Sequence, residues 1–194
     1  PGTTKDEIYQ KIKNNFEIGE NFFIGFSSER INPGKNENSI QTIPKVVSGY
    51  SKNCLKIISK FYSKSFNEIV QSKSIEIAEF SKLLENIYRS VNIGFINEMK
   101  ILADKMNIDI FDVISLANTK PYGFRRFYPG PGIGGHCIPV DPSYLYWKSV
   151  RAGLPAKFIK LSAKINVLVL DFLIKKILKN LKSKKITLAK SKIL

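Results

Sequence analysis

From Ile75 to Asn107 the chain holds one helical pattern without a break. Apolar residues recur at helical spacing (Ile77, Phe80, Leu83, Leu84, Ile87, Tyr88, Val91, Phe95, Ile96, Met99), no proline intervenes, and Gly94 is the only glycine inside. At 3.6 residues per turn this is about nine turns of a single helix. A helix that long, with so wide an apolar face, must be covered by something large.

Before Ser74 the pattern is different. Thr4 to about Asn15 reads as an amphipathic helix, with Ile8 and Ile12 at i,i+4. Phe22-Phe23-Ile24-Gly25-Phe26 is a continuous apolar run suited to a strand buried on both faces, and Ser27-Ser28-Glu29 follows at its carboxyl end. Lys35–Thr42 is a polar loop, Pro44–Tyr50 a second strand, Ser51–Tyr62 a helix and Glu68–Gln71 an edge strand. This alternation suits the end of a doubly wound α/β domain. After the long helix, Asp109–Ala117 is expected to be helical, Thr119–His136 a loop, and Pro155–Lys182 another long helix.

Cys137 lies at the end of a glycine-rich loop, four residues before Asp141-Pro142. Asp at an N-cap and Pro at the first helical position predict a helix over Asp141–Ala152. The free N–H groups and positive end of that helix favour a nucleophilic thiolate nearby. Gly130, Gly132 and Gly135 form a formal G-x-G-x-x-G, but no apolar strand precedes it, Pro139 and Pro142 delay the helix, and no carboxylate stands at the required distance. These glycines are better read as leaving room for a ligand beside the sulfur. Cys54 sits among Leu55, Ile58 and Phe61 on a short helix and reads as core packing. On the long helix, Glu79, Lys82 and Asn86 lie near one face, and the last two can aim at one oxyanion. A solvated polar face is the plain alternative.

The segment Tyr128-Pro129-Gly130-Pro131-Gly132-x-Gly134-Gly135-His136-Cys137-Ile138-Pro139-x-Asp141-Pro142 resembles the catalytic-cysteine motif of the nucleotide-sugar 6-dehydrogenases. The UDP-glucose/GDP-mannose 6-dehydrogenase family, and within it the bacterial UDP-N-acetylhexosamine branch, is the nearest likeness. Three further blocks support it in order: Ser28–Gly34, Ile43–Val47 and Glu79–Asn86. The resemblance implies an α/β remnant followed by mostly helical structure. Residues 1–73 would be the C-terminal part of an NAD-binding Rossmann domain, and 74–168 a central helical dimerisation domain with the long helix as spine. Residues 169–194 would be a connecting helix and the start of a UDP-binding domain. Members of the family are about twice as long, so the chain is expected to be a fragment.

The resemblance also implies roles. Cys137 would be the nucleophile, Lys82 and Asn86 the oxyanion partners, and Glu29 and Asp141 assistants. Glu29 and Cys137 would border NAD, and Lys120, Arg126, Tyr128 and Gly134 would meet the UDP-sugar, with Arg125 a further candidate. The plain alternatives are an ion pair with Arg30 for Glu29, an N-cap for Asp141, and solvated loop charges for the cations. UDP-glucose or GDP-mannose dehydrogenase is the alternative enzyme. An inert helical dimerisation module is the alternative from another class.

Charge bears on partners. Net charge is +15, and eight lysines lie between Lys175 and Lys192 with no acid among them. No nucleic-acid motif accompanies them, so no specific nucleic acid is expected. His136 is the only histidine and no metal set is spaced around it. No apolar run reaches the length of a membrane span and no signal peptide is visible. The expectation is a reduced, cytoplasmic protein that forms homodimers or larger homo-oligomers.

Overall fold

A computed structural model describes residues 1–30 and 40–192. Ile31–Gly34 of the first supporting block, most of the loop 35–42, and the last two residues lie outside the described part. The chain forms two compact units, Pro1–Glu85 and Asn86–Leu194, so their boundary falls inside the long helix.

In the first unit a wide helical turn, Thr3–Tyr9, passes into α1 (Gln10–Ile12). Strand β1 (Lys45–Val47) leads through α2 (Lys52–Tyr62) to β2 (Ile69–Gln71). The strands are parallel, with Lys45, Val46 and Val47 opposite Ile69, Val70 and Gln71. A helical crossover is the connection a parallel pair requires. Ser51 caps α2 by accepting from the Cys54 amide at 3.2 Å. Cys54 itself is fully buried, as expected of core packing.

The run Phe22–Phe26 does not become a strand buried on both faces. It lies extended beside the end of β1, bonded from Ser48 N to Phe26 O and from Tyr50 N to Ile24 O, each at 2.9 Å. Phe23 is 36% exposed. The ladder fails because the Ser48 hydroxyl, not a carbonyl, takes the Phe26 amide at 3.2 Å. Gly25 permits this close approach, since a Cβ there would stand 2.0 Å from the Ser48 carbonyl oxygen.

Helix α3 (Ile75–Lys105) is the long helix of the sequence pattern. It ends where Asn107 turns left-handed at φ 55°. Ile108 N then bonds to Ala103 O at 2.9 Å and Asn107 N to Asp104 O at 3.3 Å, the two bonds of a Schellman cap. Asparagine can take that conformation with little penalty. Along α3 the apolar side chains Ile77, Phe80, Leu84, Tyr88, Phe95 and Leu102 stay about half exposed.

The second unit packs the later part of α3 with α4 (Ile110–Ala117), α5 (Cys137–Arg151) and α6 (Lys157–Ser183). Its core includes Ile96, Ala103, Ile110 and Ile114, with Met99 and Phe127 against them. Asp109 caps α4, accepting from Phe111 N at 2.7 Å. Gly94 explains its place in an otherwise unbroken helix: a Cβ there would meet Ser162 Cα of α6 at 3.3 Å. Near the other end of this pairing, hydrogen bonds from Lys176 and Lys100 hold the Asp104 carboxyl below its usual range. Among the described residues no helix is long and apolar enough to cross a membrane.

Helix α5 corrects one expectation. It starts at Cys137, four residues before the position that the Asp141-Pro142 pair suggested, and Pro142 lies inside it. Pro139 falls in the first turn, where backbone N–H groups have no intrahelical acceptor and nothing is lost. Pro142, which is buried, removes one bond, to Ile138. Asp141 therefore is not an N-cap.

The close contact at Gly94 gives a prediction. Gly94→Leu should destabilise the second unit by about 1–3 kcal/mol, as overpacking does. Denaturant unfolding followed by near-ultraviolet circular dichroism of Trp147 would show it, and an unchanged midpoint would mean that α6 does not pack this closely on α3.

Candidate functional site

The second unit presents Cys137 as the first residue of α5, exposed, at the point where the helix leaves its N-terminal amides unpaired. The sequence placed the sulfur before a helix start, and the structure puts it in the helix's first turn. The neighbouring His136 Nδ1 is 4.0 Å from Sγ. Gly132, Gly134 and Gly135 all have positive φ (88°, 65° and 76°), so the loop before the thiol needs residues without side chains. A Cβ at Gly134 would meet no atom within 4 Å, which leaves open space beside the loop.

Behind this loop, Asn86 is buried on α3 and donates through Nδ2 to Asp141 Oδ2 at 2.5 Å. Asp141 is thus bound to the asparagine that the sequence pattern had set apart. The structure brings Asn86, Cys137 and Asp141 into one unit. Lys82 lies one turn before Asn86 on α3, half-buried.

Glu79 is engaged elsewhere. It is buried and accepts from Gly2 N, from Thr4 N at 2.9 Å and from Thr4 Oγ1 at 2.6 Å, tying the chain's first turn to α3. Glu29, in the first unit, is exposed. Its Oε1 accepts from the Arg30 amide at 2.6 Å, and its Oε2 is 3.7 Å from Lys45 Nζ. The Arg30 guanidinium donates to Glu85 and to the Pro44 carbonyl. Lys45 is the buried cation of this corner, donating to Ser28 O at 3.0 Å over the rings of Tyr62 and Phe66.

The loop candidates remain accessible. Lys120 Nζ stands 5.0 Å over the Tyr122 ring, and Arg126 lies 5.9 Å from the Tyr128 ring centre. Tyr128 stacks on Phe111 with 6.3 Å between ring centres, and Arg125 is exposed. Cation and aromatic side by side suit a phosphate attached to a flat base. No group of three or more potential metal ligands occurs among the described residues.

Sequence reasoning missed a buried amide pair. Asn97, fully buried on α3, accepts from Gly130 N at 2.9 Å and donates to Asn166 Oδ1 at 3.0 Å. The available signal was spacing: Asn86, Ser90, Gly94 and Asn97 fall at i, i+4, i+8 and i+11, one polar or small stripe on a helix face.

Comparisons with known proteins agree with this architecture. Residues 76–167 match the UDP-glucose/GDP-mannose dehydrogenase family, central domain. The chain is 38% identical to a Staphylococcus aureus protein named Protein CapL, over 93% of this chain and 43% of that protein. It is 36% identical to the UDP-N-acetyl-D-glucosamine 6-dehydrogenase of Pseudomonas aeruginosa, over 86% of this chain and 40% of the relative. The solved structure of a UDP-D-ManNAc dehydrogenase from Pyrococcus horikoshii superposes with a TM-score of 0.86 at 28% identity, covering 96% of this chain and 44% of that one. A mostly helical architecture is thus shared with solved nucleotide-sugar dehydrogenase structures. The chain belongs to the UDP-glucose/GDP-mannose dehydrogenase family. It spans less than half the length of the relatives it matches.

The two thiols generate a prediction. Cys137 is exposed and Cys54 is buried, so limited alkylation with iodoacetamide at neutral pH, read by peptide mass mapping, should label Cys137 first. Equal or reversed labelling would contradict the site.

Proposed function

We propose that the protein carrying this chain oxidises the C6 alcohol of a UDP-N-acetylhexosamine to the carboxylate, with two NAD as hydride acceptors. The observation that carries this reading is the exposed thiol at the start of α5, in one unit with the Asn86–Asp141 pair. The family's naming of nucleotide sugars and the relatives' naming of UDP-N-acetylglucosamine and UDP-N-acetylmannosamine support the substrate class.

Each residue has a task. The Cys137 thiolate adds to the C6 aldehyde left by the first hydride loss, forming a carbon–sulfur bond and a thiohemiacetal oxyanion. Lys82 and Asn86 stabilise that oxyanion, and Asp141 holds the Asn86 amide in position. Loss of the second hydride leaves a thioester on Cys137. Water then attacks it with help from Glu29, releasing the carboxylate and restoring the thiol. A covalent adduct keeps the reactive aldehyde bound between the two oxidations. Lys120, Arg126, Tyr128 and Gly134 border the UDP-sugar, Arg125 offering a further cation.

NAD supplies the hydride-accepting ring. Glu29 and Cys137 would border its nicotinamide end, as a carboxylate and a thiol can. The glycine turn that a pyrophosphate requires is not among the described residues. In this reading residues 1–73 close an NAD-binding domain, 74–168 are the central domain, and 169–194 lead toward a UDP-binding domain. A working thiol suits a reducing compartment such as the cytoplasm. The exposed apolar stripe of α3 is covered by the same helix of a second copy, making a homodimer.

The test is a spectrophotometric assay on the full gene product with UDP-N-acetylglucosamine, UDP-N-acetylmannosamine, UDP-glucose and GDP-mannose. NADH should form in a ratio of two per sugar consumed, with an N-acetylhexosamine preferred. No NADH with any of the four would refute the function, and preference for UDP-glucose or GDP-mannose would move the protein to that branch. Light scattering on the same sample should show a dimer that Phe95→Asp shifts toward monomer.

A further inference from the structure

The loop that ends at Cys137 is gripped at one place. Asn97 Oδ1 accepts from Gly130 N at 2.9 Å, and its Nδ2 lies 3.4 Å from the Gly132 carbonyl, so one side chain holds both sides of Pro131. The same Nδ2 donates to Asn166 Oδ1 on α6 at 3.0 Å, and Asn166 Nδ2 donates to the Ser90 carbonyl on α3 at 3.3 Å. Gly132 rests on α6, where a Cβ would be 3.5 Å from Asn166 O. Between Gly132 and Cys137, no hydrogen bond to another element is made among the described residues. Asn97 is therefore the last fixed point before the thiol. Beyond the thiol, the first fixed point is Asp141, held by Asn86. Asn86 and Asn97 are 11 residues apart on α3, which is close to three turns and places both on one face.

We propose that Asn97 and Asn166 form a paired-amide clamp that positions the Cys137 loop, and that they are positioning residues for the reaction at that thiol. The proposal rests on the dehydrogenase reading above. Among the described residues, neither asparagine is hydrogen-bonded to the sulfur. Both are buried, where an amide is retained only if its bonds are made. A planar amide offers an acceptor and two donors in fixed directions, which is what locking a loop to two helices requires. Serine or alanine at position 97 would leave the Gly130 amide, the Gly132 carbonyl or Asn166 without its partner.

The experiment is steady-state kinetics of Asn97→Ala and Asn166→Ala in the full gene product. Misplacing a reacting group by about 1 Å costs on the order of 100-fold, so Asn97→Ala should lower kcat by about that factor while KM for the UDP-sugar changes far less. Asn166→Ala, which leaves the bonds from Asn97 to the loop, should lower kcat less. An unchanged kcat in folded Asn97→Ala overturns the clamp. If Asn97→Ala does not fold, Asn166→Ala decides, and an unchanged kcat there overturns it equally. If the unaltered protein reduces no NAD with any nucleotide sugar, the dehydrogenase reading fails separately. The clamp is then judged on the 194-residue chain, where Asn97→Ala should change the rate of Cys137 alkylation by iodoacetamide with Cys54 still protected. Identical rates would overturn it.

Discussion

The contact of α3 with α6 is the constraint on which the second unit depends. It is close because Gly94 has no side chain and Ser162 lies against it. It is polar at its centre because Asn97 and Asn166 are bonded to each other there. Apolar burial could hold two helices together at many rotations and offsets. A pair of directional bonds between buried amides is satisfied at one, and a wrong register would leave them unpaired in a medium of low polarity.

That register carries over to the chemistry. With α3 and α6 fixed, Asn97 meets the Gly130 amide and Asn86 meets Asp141, so the segment bearing Cys137 is fastened to α3 on both sides of the sulfur. The glycines between these points give the loop conformations open to few other residues, and the thiol emerges at the start of α5. Anchors on either side of a glycine-rich turn suit the nucleophile proposed for Cys137, which would have to be held against one carbon atom. The first unit has its own anchor in Glu79, which ties Gly2 and Thr4 to the beginning of α3.

Much of this was legible in the sequence because it rests on periodicity and composition. The span of α3, the helices expected over Ser51–Tyr62 and Asp109–Ala117, the strand–helix–strand order around α2 and the different settings of Cys54 and Cys137 all follow from such signals. Where local preference met tertiary packing, the reading failed. Asp141-Pro142 has the form of a helix start, yet Asp141 is taken by Asn86 and the helix begins at Cys137. The apolar run Phe22–Phe26 has the composition of an inner strand, yet the Phe26 amide goes to the Ser48 hydroxyl and the Phe22 carbonyl accepts from Gly19. Asn97 and Asn166 were invisible as a pair, since residues 69 apart in sequence signal nothing to each other until the helices pack. Lone asparagines among apolar residues look like interruptions; in the folded unit they are its fasteners.

The central claim is that the oxidation to the acid passes through a bond to Cys137. It is tested most directly by following uronate formation from UDP-N-acetylhexosamine and NAD, by mass spectrometry, in the full gene product and in Cys137→Ala. The account requires that the alanine variant remain folded and bind the nucleotide sugar but form no uronate above background. Uronate made by Cys137→Ala at the rate of the unaltered protein would contradict it.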